Sequence, residues 1–312
     1  MTTRDRWQSL ESNSSGHEPV LVEEAVALLR PRSDGTYVDC TIGLGGHSAA
    51  LFEAGAGRVI GIDRDAAALS QTRARLGSWG DRLVLVHADY RELPRLLSER
   101  GLDGIDGALA DLGVSSLQLD DPQRGFSFRN EGPLDMRMNQ TEGPTAADLI
   151  RGADEAALAD VIYQYGDERH ARRIARAIVR ARDRQPITTT SELAAIVRRA
   201  AGGRGWQRID PATRTFQALR IWVNRELDGL DMFIEAAVVA LRAGGRLVVI
   251  AFHSLEDRIV KHTFRRLSTR GPHESLQLIE VLTRKPITPS DSEARRNPRS
   301  RSARLRALER VA

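Results

Sequence analysis

Apolar and polar positions alternate along the first third of the chain as they do in proteins built from repeated strand–helix units. Short apolar runs predict strands at 36–41, 58–63, 81–90 and 106–113. Segments with helical periodicity separate these runs. Four such units in succession predict a doubly wound parallel sheet, whose ligands bind beyond the carboxyl ends of the strands.

This alternation stops after the fourth strand. From Asp120 to about Pro211 the periodicity is helical, and capping-box spacing at 145–148 and 189–192 marks two helix starts. Apolar runs then predict a fifth strand and a final pair that can close the sheet antiparallel, at 245–254, 277–283 and 303–311. The sequence therefore predicts a polar tail (1–16), a discontinuous α/β domain (17–122 plus 212–312) and an inserted all-α domain (123–211).

A glycine-rich turn follows the first predicted strand. Gly43, Gly45 and Gly46 precede His47, and Asp63 lies about twenty residues further on. Glycines let the main chain approach a ligand, a helix start directs free N–H groups at it, and an acid at this distance suits a ribose diol. The third glycine of the dinucleotide fingerprint is absent, which favours an adenosyl group over a pyrophosphate. The alternative is a tight turn that binds nothing.

Three polar side chains fall at the carboxyl ends of predicted strands, namely Asp63, Tyr90 and Asp111. Asp111 could instead cap the following turn, and Tyr90 could fill the edge of the sheet. Because the three positions share one edge, we expect a common pocket.

Composition narrows the class of protein. The 312 residues carry a net charge of +4, and arginine supplies nearly all of the basic residues, since Lys261 and Lys285 are the only lysines. The single cysteine, Cys40, excludes an internal disulfide and a cysteine-based zinc site, and we predict no metal. No apolar run has the length of a signal core or a membrane span. We expect a cytoplasmic protein with no membrane partner.

Arginines cluster at three places that suit contact with RNA. Five recur at helical spacing: Arg169, Arg172, Arg173, Arg176 and Arg180. Such a stripe favours an anionic partner, although a solvated helix face is the alternative. A second cluster, at 124–138, interleaves arginines with aromatic residues and methionines, which suits an unstacked base and its phosphates. The third is a strip at 299–306.

Within these clusters we predict RNA contacts for Arg124, Phe126, Arg137, Arg172, Arg173 and Arg304. For Met136 and Met138, a hydrophobic plug between the two domains is the favoured interpretation.

Long motifs in this chain resemble one family, the bacterial 16S ribosomal RNA cytosine-N4 methyltransferases. They are HEPVLVEE, DCTIGLGGHS, GIDRD, DLGVSSLQLDDPQRGFSFRNEGPLDMRMN, YGDERHARRIARAI, PATRTFQALRIWVNREL, FHSLEDRIVK and NPRSRSARLR. The resemblance covers the chain from Glu18 to about Arg310. It implies a class I S-adenosylmethionine-dependent methyltransferase, with a Rossmann-like, mostly parallel seven-stranded sheet and an inserted all-α domain. The implied substrate is a cytosine in the decoding region of 16S rRNA.

The resemblance also implies which residues bind S-adenosylmethionine. These are Gly45, Gly46, His47, Asp63, Tyr90, Asp111 and Gln118. It implies 16S rRNA within the small ribosomal subunit as the partner. The chain is then a monomer or a dimer.

Methylation of an exocyclic amine sets two requirements. The amine, the methyl carbon and the sulfur must be collinear, and such positioning supplies about 7–11 kcal/mol. An acceptor must also localise the nitrogen lone pair and take its proton. Many amino methyltransferases meet this second need with a Pro-Pro-aromatic motif after strand four, which is absent here. Asp111 is the candidate, for the cofactor's ammonium, the target amine or both.

A second candidate group follows the fifth strand and comprises His253, Ser254, Glu256 and Asp257. Ser254 and Asp257 have capping-box spacing and can simply start a helix. We hypothesise that His253 contacts the flipped cytosine or relays its proton, the alternative being a packing role.

Three other functions stay open at this stage. A nicotinamide oxidoreductase shares the glycine turn and Asp63 but needs a third glycine. A non-catalytic RNA-binding protein explains the arginines but not a nucleoside pocket. An amino methyltransferase acting on DNA or another RNA is separated from an rRNA enzyme only by the resemblance.

Overall fold

The computed structural model describes residues 19–202, 210–269 and 279–311, and the predicted tail (1–16) lies outside them. A seven-stranded sheet in the order β3-β2-β1-β4-β5-β7-β6 forms its centre. The strands are β1 Thr36–Asp39, β2 Arg58–Asp63, β3 Leu83–His87, β4 Ile105–Asp111, β5 Leu241–Ala251, β6 Ile279–Val281 and β7 Arg304–Arg310. β7 runs antiparallel to both of its neighbours, and the remaining pairs are parallel.

Helices follow the strands of the first half and fill the region between β4 and β5. Around the sheet they are α1 Val22–Leu29, α2 Gly46–Glu53, α3 Ala66–Leu76, α4 Leu93–Ser98, α5 Ser116–Asp120, α11 Leu230–Ala240, α12 Ser254–Ser268 and α13 Asp291–Arg296. Between α5 and α11 they are α6 Ala146–Gly152, α7 Glu155–Gly166, α8 Ala171–Arg182, α9 Thr190–Ala201 and α10 Ala212–Asn224. Short 3₁₀ turns complete the connections, including Tyr90–Glu92 and Pro298–Ser302.

The seven-stranded, mostly parallel α/β sheet expected from the sequence is confirmed, including the antiparallel closing pair. Several strand bounds differ by a few residues. The third strand ends at His87 rather than continuing to Tyr90, because Asp89 caps a 3₁₀ turn there through its own side chain. Helix α7 ends at Gly166, where a Cβ would lie 2.6 Å from the Arg214 carbonyl oxygen of α10, and Asp167 follows in the left-handed conformation.

Apolar side chains form separate cores on the sheet and among the inserted helices. The sheet is covered on both faces, with Val38, Ile60 and Val249 on one side and Tyr37, Leu109 and Ile250 on the other. A third core joins α6–α9 to α10, which contributes Phe216 and Leu219. Helix α10 therefore packs with the inserted helices, although the predicted boundary assigns it to the α/β domain.

Every helix within 19–202, 210–269 and 279–311 is too short or too polar to cross the apolar interior of a bilayer.

Candidate active site

A cavity of about 330 Å³ opens at the carboxyl ends of β1, β2, β4 and β5. Its walls come from the glycine turn, from the ends of these strands and from the start of α12. The lining residues include Gly43, Gly46, His47, Asp63, Tyr90, Asp111, Gln118, Arg220, Glu226 and Glu256. Parallel strands bring their carboxyl ends to one edge, which is why the predicted strand-end residues meet here.

The glycine turn is shaped by close approach and by two left-handed residues, Gly43 and Gly45. Gly45 has φ +76°, and a Cβ there would lie 2.5 Å from Leu76 Cδ1. A Cβ on Gly46 would lie 3.0 Å from Pro19. Gly45 itself supports the turn from behind, whereas Gly43, Gly46 and His47 line the cavity. The turn therefore presents main chain, rather than side chains, to a ligand.

Asp63 holds the turn against the end of β2. Its Oδ2 accepts from the Gly43 amide at 2.8 Å, and its Oδ1 accepts from the Asp65 amide at 2.9 Å. Burial raises the pKa of Asp63 to about 6 against the effect of these two hydrogen bonds. Each carboxylate oxygen has a second lone pair, so Asp63 can still accept from a ribose diol.

Asp111 and His47 face each other across the cavity. His47 Nδ1 lies 3.9 Å from Asp111 Oδ2, while its Nε2 donates to the Val20 carbonyl oxygen at 3.0 Å. Burial lowers the pKa of His47 to about 4, so the ring is neutral at pH 7. Burial, reinforced by the charges of Asp39 and Glu256, raises the pKa of Asp111 well above its ordinary value. Asp111 Oδ1 has no hydrogen-bond partner among the described residues. A buried acceptor of this kind is available to a ligand.

Tyr90 and Gln118 close two sides of the cavity. The Tyr90 ring packs edge-on against Phe233, with centroids 4.6 Å apart, and burial raises its pKa to about 12. Gln118 is buried, and its Nε2 donates to Asp65 Oδ2 at 2.9 Å. Gln118 also forms a capping box with Ser115 at the start of α5. Tyr90 thus offers an aromatic wall, whereas Gln118 braces the loop beside Asp63.

The structure contradicts the predicted RNA contacts of Arg124 and Phe126. Phe126 is 6% exposed and packs in the core of the inserted helices. Arg124 is also buried, and it donates to Asp65 Oδ2 at 2.7 Å and to the Met138 carbonyl oxygen at 2.8 Å. Neither side chain can reach a phosphate or a base. Met136 and Met138 are buried in the core of the inserted helices, and their role as a plug between the two domains stays a prediction.

The capping assignment at α12 was wrong by one residue. His253, rather than Ser254, is the N-cap, and its Nδ1 accepts from the Glu256 amide at 3.4 Å. Its Nε2 lies 3.2 Å from Glu256 Oε1. Glu256 lines the cavity and His253 does not. His253 therefore stands behind Glu256, and its predicted direct contact with the target base is not supported.

Asp257 also differs from its predicted role. Instead of completing a cap it binds Arg306 at 2.7 Å and Arg304 at 2.9 Å, joining α12 to β7. The predicted RNA contact Arg304 is thus already paired, with half of its side chain exposed.

The remaining predicted RNA contacts lie on the inserted helices and their connecting loop. Arg137 pairs with Asp135 at 2.8 Å and is partly buried. Arg172 and Arg173 are exposed on α8, where Arg173 also donates to the Ala201 carbonyl oxygen. The whole arginine stripe, which begins two residues before α8, faces solvent: Arg169, Arg172, Arg173, Arg176 and Arg180.

The sequence interpretation missed a buried ion pair in the cavity wall. Arg220 of α10 donates to both oxygens of Glu226, at 2.9 and 2.8 Å. Three side chains, Glu226, His253 and Glu256, each offer one atom that can bind a metal ion. These three atoms lie within 4.8 Å of one another, a spacing that could hold such an ion. Arg220 and the amides of 252 and 253 already satisfy the two carboxylates, so an ion-pair network accounts for this group. The absence of a metal stays a prediction.

Taken together, the wall residues fit a cationic nucleoside cofactor. The acid at the end of β2 matches a ribose, the aromatic side matches an adenine, and the unpartnered carboxylate oxygen matches a positive charge, while the main-chain turn allows the ligand to approach closely. Burial raises the pKa values of three carboxyls, Asp39, Asp63 and Asp111, and a nearby cation would stabilise their ionised forms.

Comparison with known proteins gives matches along nearly the whole chain. Residues 14–311 match the MraW methylase family. The ribosomal RNA small subunit methyltransferase H of Sorangium cellulosum is 52% identical over 295 residues, covering 95% of this chain and 91% of that protein. The corresponding protein of Thermomicrobium roseum is 50% identical over 323 residues, covering 100% and 99%. An rRNA methylase structure from Streptococcus thermophilus is 12% identical, covers 96% of this chain and 100% of its own, and has a TM-score of 0.42.

Proposed function

The chain belongs to the MraW methylase family of S-adenosylmethionine-dependent methyltransferases acting on small-subunit ribosomal RNA, and we propose that it methylates the N4 amine of one cytosine in the decoding region of 16S rRNA. The relatives' shared name supports the rRNA class of substrate. The choice of cytosine and of its N4 amine rests on the resemblance of the sequence motifs, and the acidic cavity is chemically suited to an exocyclic amine.

We assign the cofactor to the residues predicted from the sequence, with roles adjusted to their positions. Asp63 would accept from the ribose, Tyr90 would flank the adenine, and Gly46 and His47 would present the turn to the methionine portion. Gly45 and Gln118 would act by holding these groups in place. The bound cofactor supplies an electrophilic methyl group on a positively charged sulfur.

The observation that carries the proposal is the unpartnered Oδ1 of Asp111. An aromatic amine is a poor nucleophile because its lone pair is shared with the ring. An acceptor for its N–H localises the pair and takes the proton. Asp111 lies at the end of β4 in the same cavity as Asp63, and burial leaves it with a raised pKa suited to accepting a proton. We therefore propose Asp111 as the catalytic acceptor.

For the RNA we propose the exposed arginine stripe of α8 as the main docking surface, which includes Arg172 and Arg173. We leave Arg137 and Arg304 out of this surface, since each has an acidic partner. We also propose that the inserted helical domain extends beyond 123–211 to include α10, because Phe216 and Leu219 belong to its core. Assembly of the substrate into the small subunit, a monomeric or dimeric state and a cytoplasmic location stay predictions.

Product analysis tests the proposal directly. The protein is incubated with labelled S-adenosylmethionine and, in parallel, undermodified small subunits, free 16S rRNA or DNA, and the methylated nucleoside is identified by mass spectrometry. We expect N4-methylcytidine from the rRNA substrates, and its loss in D111A by about 10²-fold or more. Label in DNA alone, or on another atom of the nucleotide, would refute the assignment.

A further inference from the structure

Glu256 is a buried carboxylate in the cavity wall next to Asp111. It is 1% exposed and belongs to α12, which begins just after β5. β5 pairs with β4, where Asp111 lies opposite Ile250 and the Leu112 amide donates to the Ile250 carbonyl oxygen at 2.9 Å. The two acids thus follow adjacent strand ends. They are close enough for the charge of Glu256 to contribute to the raised pKa of Asp111.

Protein donors hold Glu256 in one orientation. Its Oε2 accepts from the Phe252 amide at 2.9 Å and from the His253 amide at 3.4 Å. His253 Nε2 lies 3.2 Å from Glu256 Oε1. Burial alone would raise the pKa of Glu256, but the hydrogen bond and charge of His253, followed by the charge of Arg220, lower it. Glu256 is therefore held as an ionised acceptor, although burial alone would favour its protonated form.

An exocyclic amine has two N–H bonds, and a site that accepts both fixes the direction of its lone pair. Asp111 Oδ1 has no partner among the described residues and provides one acceptor. In enzymes whose paired carboxyls have pKa values displaced in opposite directions, the two groups take different roles. Here the pKa of Asp111 is raised and that of Glu256 is lowered.

We propose that Glu256 is a second catalytic residue, which accepts one N–H of the target amine while Asp111 accepts the other and receives the proton. This inference rests on the proposed function. As N4 forms its bond to the methyl carbon, the carbon–sulfur bond breaks with its electron pair going to sulfur, and the proton lost by N4 passes to Asp111 and then to solvent. Glu256 keeps the same protonation state throughout the transfer.

The clamp formed by Asp111 and Glu256 also explains base choice. Uracil places a carbonyl oxygen where cytosine has its amine, and two carboxylates would repel that oxygen while finding no N–H to accept. A site that pairs with a substrate N–H rejects an analogue lacking it by about 10⁴-fold or more. His253 becomes a positioning residue, since it contacts Glu256 rather than the cavity.

Steady-state kinetics of E256Q on the wild-type substrate tests the inference. We expect kcat to fall by about 10²-fold, with the KM values for RNA and S-adenosylmethionine changed less than about threefold. The acid limb of the kcat profile should also shift to lower pH, because the charge that raises the pKa of Asp111 is gone. E99Q removes an exposed carboxylate that pairs with the exposed Arg95 outside the cavity, and it should keep wild-type kinetics.

H253N provides a second variant should E256Q fail to fold. Asparagine can cap α12 but cannot approach Glu256 Oε1 with a ring nitrogen, so kcat should fall less than in E256Q, with the acid limb moving in the same direction. Wild-type kcat in E256Q would overturn the inference. So would a rise confined to the KM for S-adenosylmethionine, which would assign Glu256 to the adenine amine. Because the wild-type product is identified separately, either result leaves the proposed function standing.

Discussion

Arg124 donates from Nη1 to Asp65 Oδ2 at 2.7 Å, and each of these side chains is only 8% exposed. Asp65 also caps α3 by accepting from the Ala67 amide, and it receives Gln118 Nε2. A single buried carboxylate therefore joins the loop after Asp63, the loop after β4 and the start of the inserted helices. The arrangement makes Arg124 a structural residue of the cofactor side of the cavity.

Replacing Arg124 should destabilise the protein rather than weaken RNA binding specifically. R124A leaves Asp65 buried without its cation, and removal of one partner of such a pair costs about 3–5 kcal/mol. Urea unfolding measures this loss, with R129A, an exposed arginine of the same loop, as the control, expected to change the free energy of unfolding by less than about 0.5 kcal/mol. Wild-type stability in R124A together with weaker RNA binding would restore the RNA contact predicted from the sequence.

The position of the candidate cofactor site was predictable because it follows from the topology of the sheet. Strand-end residues such as Asp63, Tyr90 and Asp111 could be placed together once the apolar runs were recognised as parallel strands, whose carboxyl ends meet at one edge. Glu256 and His253 also fell beside this edge. The role of His253 was wrong, however, since a shift of one residue in the helix start makes His253 the N-cap in place of Ser254 and turns Glu256 to the cavity.

Burial of charged residues was not predictable from local sequence. Arg124 and Phe126 stand in a pattern typical of RNA contact, yet the partners that bury them, Asp65 and the core of α6–α10, are distant in sequence. Arg220 and Glu226 reach the cavity because α10 crosses from the inserted helices to the sheet edge. A helical pattern gives no sign of such a crossing. Tertiary packing decides whether an arginine is solvated or buried in a structural role, and the local sequence does not show that packing.

The affinity for S-adenosylmethionine should fall below about pH 6. Asp63 must be ionised to accept from both ribose hydroxyls, and burial raises its pKa to about 6. Protonation as the pH drops through this value removes acceptor capacity, so the dissociation constant should rise by up to about tenfold per pH unit below it and level off above pH 7. Calorimetric titration from pH 5 to 8 measures the curve.

D63N should bind weakly at every pH and lose most of this dependence. D39N is the matched control, since Asp39 has a pKa of about 6 for the same reason but does not line the cavity. Its curve should keep the acid limb, displaced slightly to lower pH because the charge of Asp39 helps to raise the pKa of Asp63. A flat wild-type curve would show that Asp63 does not bind the ribose as a carboxylate.

The arginine stripe of α8 should contribute to RNA affinity through its charge. In R172A/R180A two exposed guanidinium groups are lost without exposing any core residue. The slope of log K against log salt should decrease by about 0.7–0.9 for each phosphate contact removed. Affinity for S-adenosylmethionine should be unchanged.

Filter binding to 16S rRNA at several salt concentrations measures that slope. R151A serves as the control, because Arg151 is an exposed arginine on α6 that pairs with Asp148 and lies outside the stripe. Equal slopes for wild type and R172A/R180A would mean that α8 presents a solvated face.

Asp257 should stabilise the junction of α12 with β7, because it pairs with both Arg304 and Arg306. Arg306 is buried and binds both oxygens of Asp257, while Arg304 adds a third contact from a half-exposed position. Although burial opposes it, hydrogen bonds from Arg306 and Arg304 lower the pKa of Asp257. A lowered carboxyl pKa stabilises the fold above the unfolded pKa of about 3.9, and this contribution is lost as the pH falls through the folded value.

D257N keeps the shape of the side chain but leaves Arg306 buried without a counter-charge, so the free energy of unfolding at pH 7 should fall by about 3–5 kcal/mol. The difference from wild type should shrink towards pH 3, where the wild-type carboxyl approaches protonation. R304A should cost about 1 kcal/mol or less, as expected for an exposed ion pair, and should leave the salt dependence of RNA binding unchanged. If R304A instead lowered that salt slope at wild-type stability, Arg304 would contact phosphate, and Asp257 would serve to orient it for the RNA.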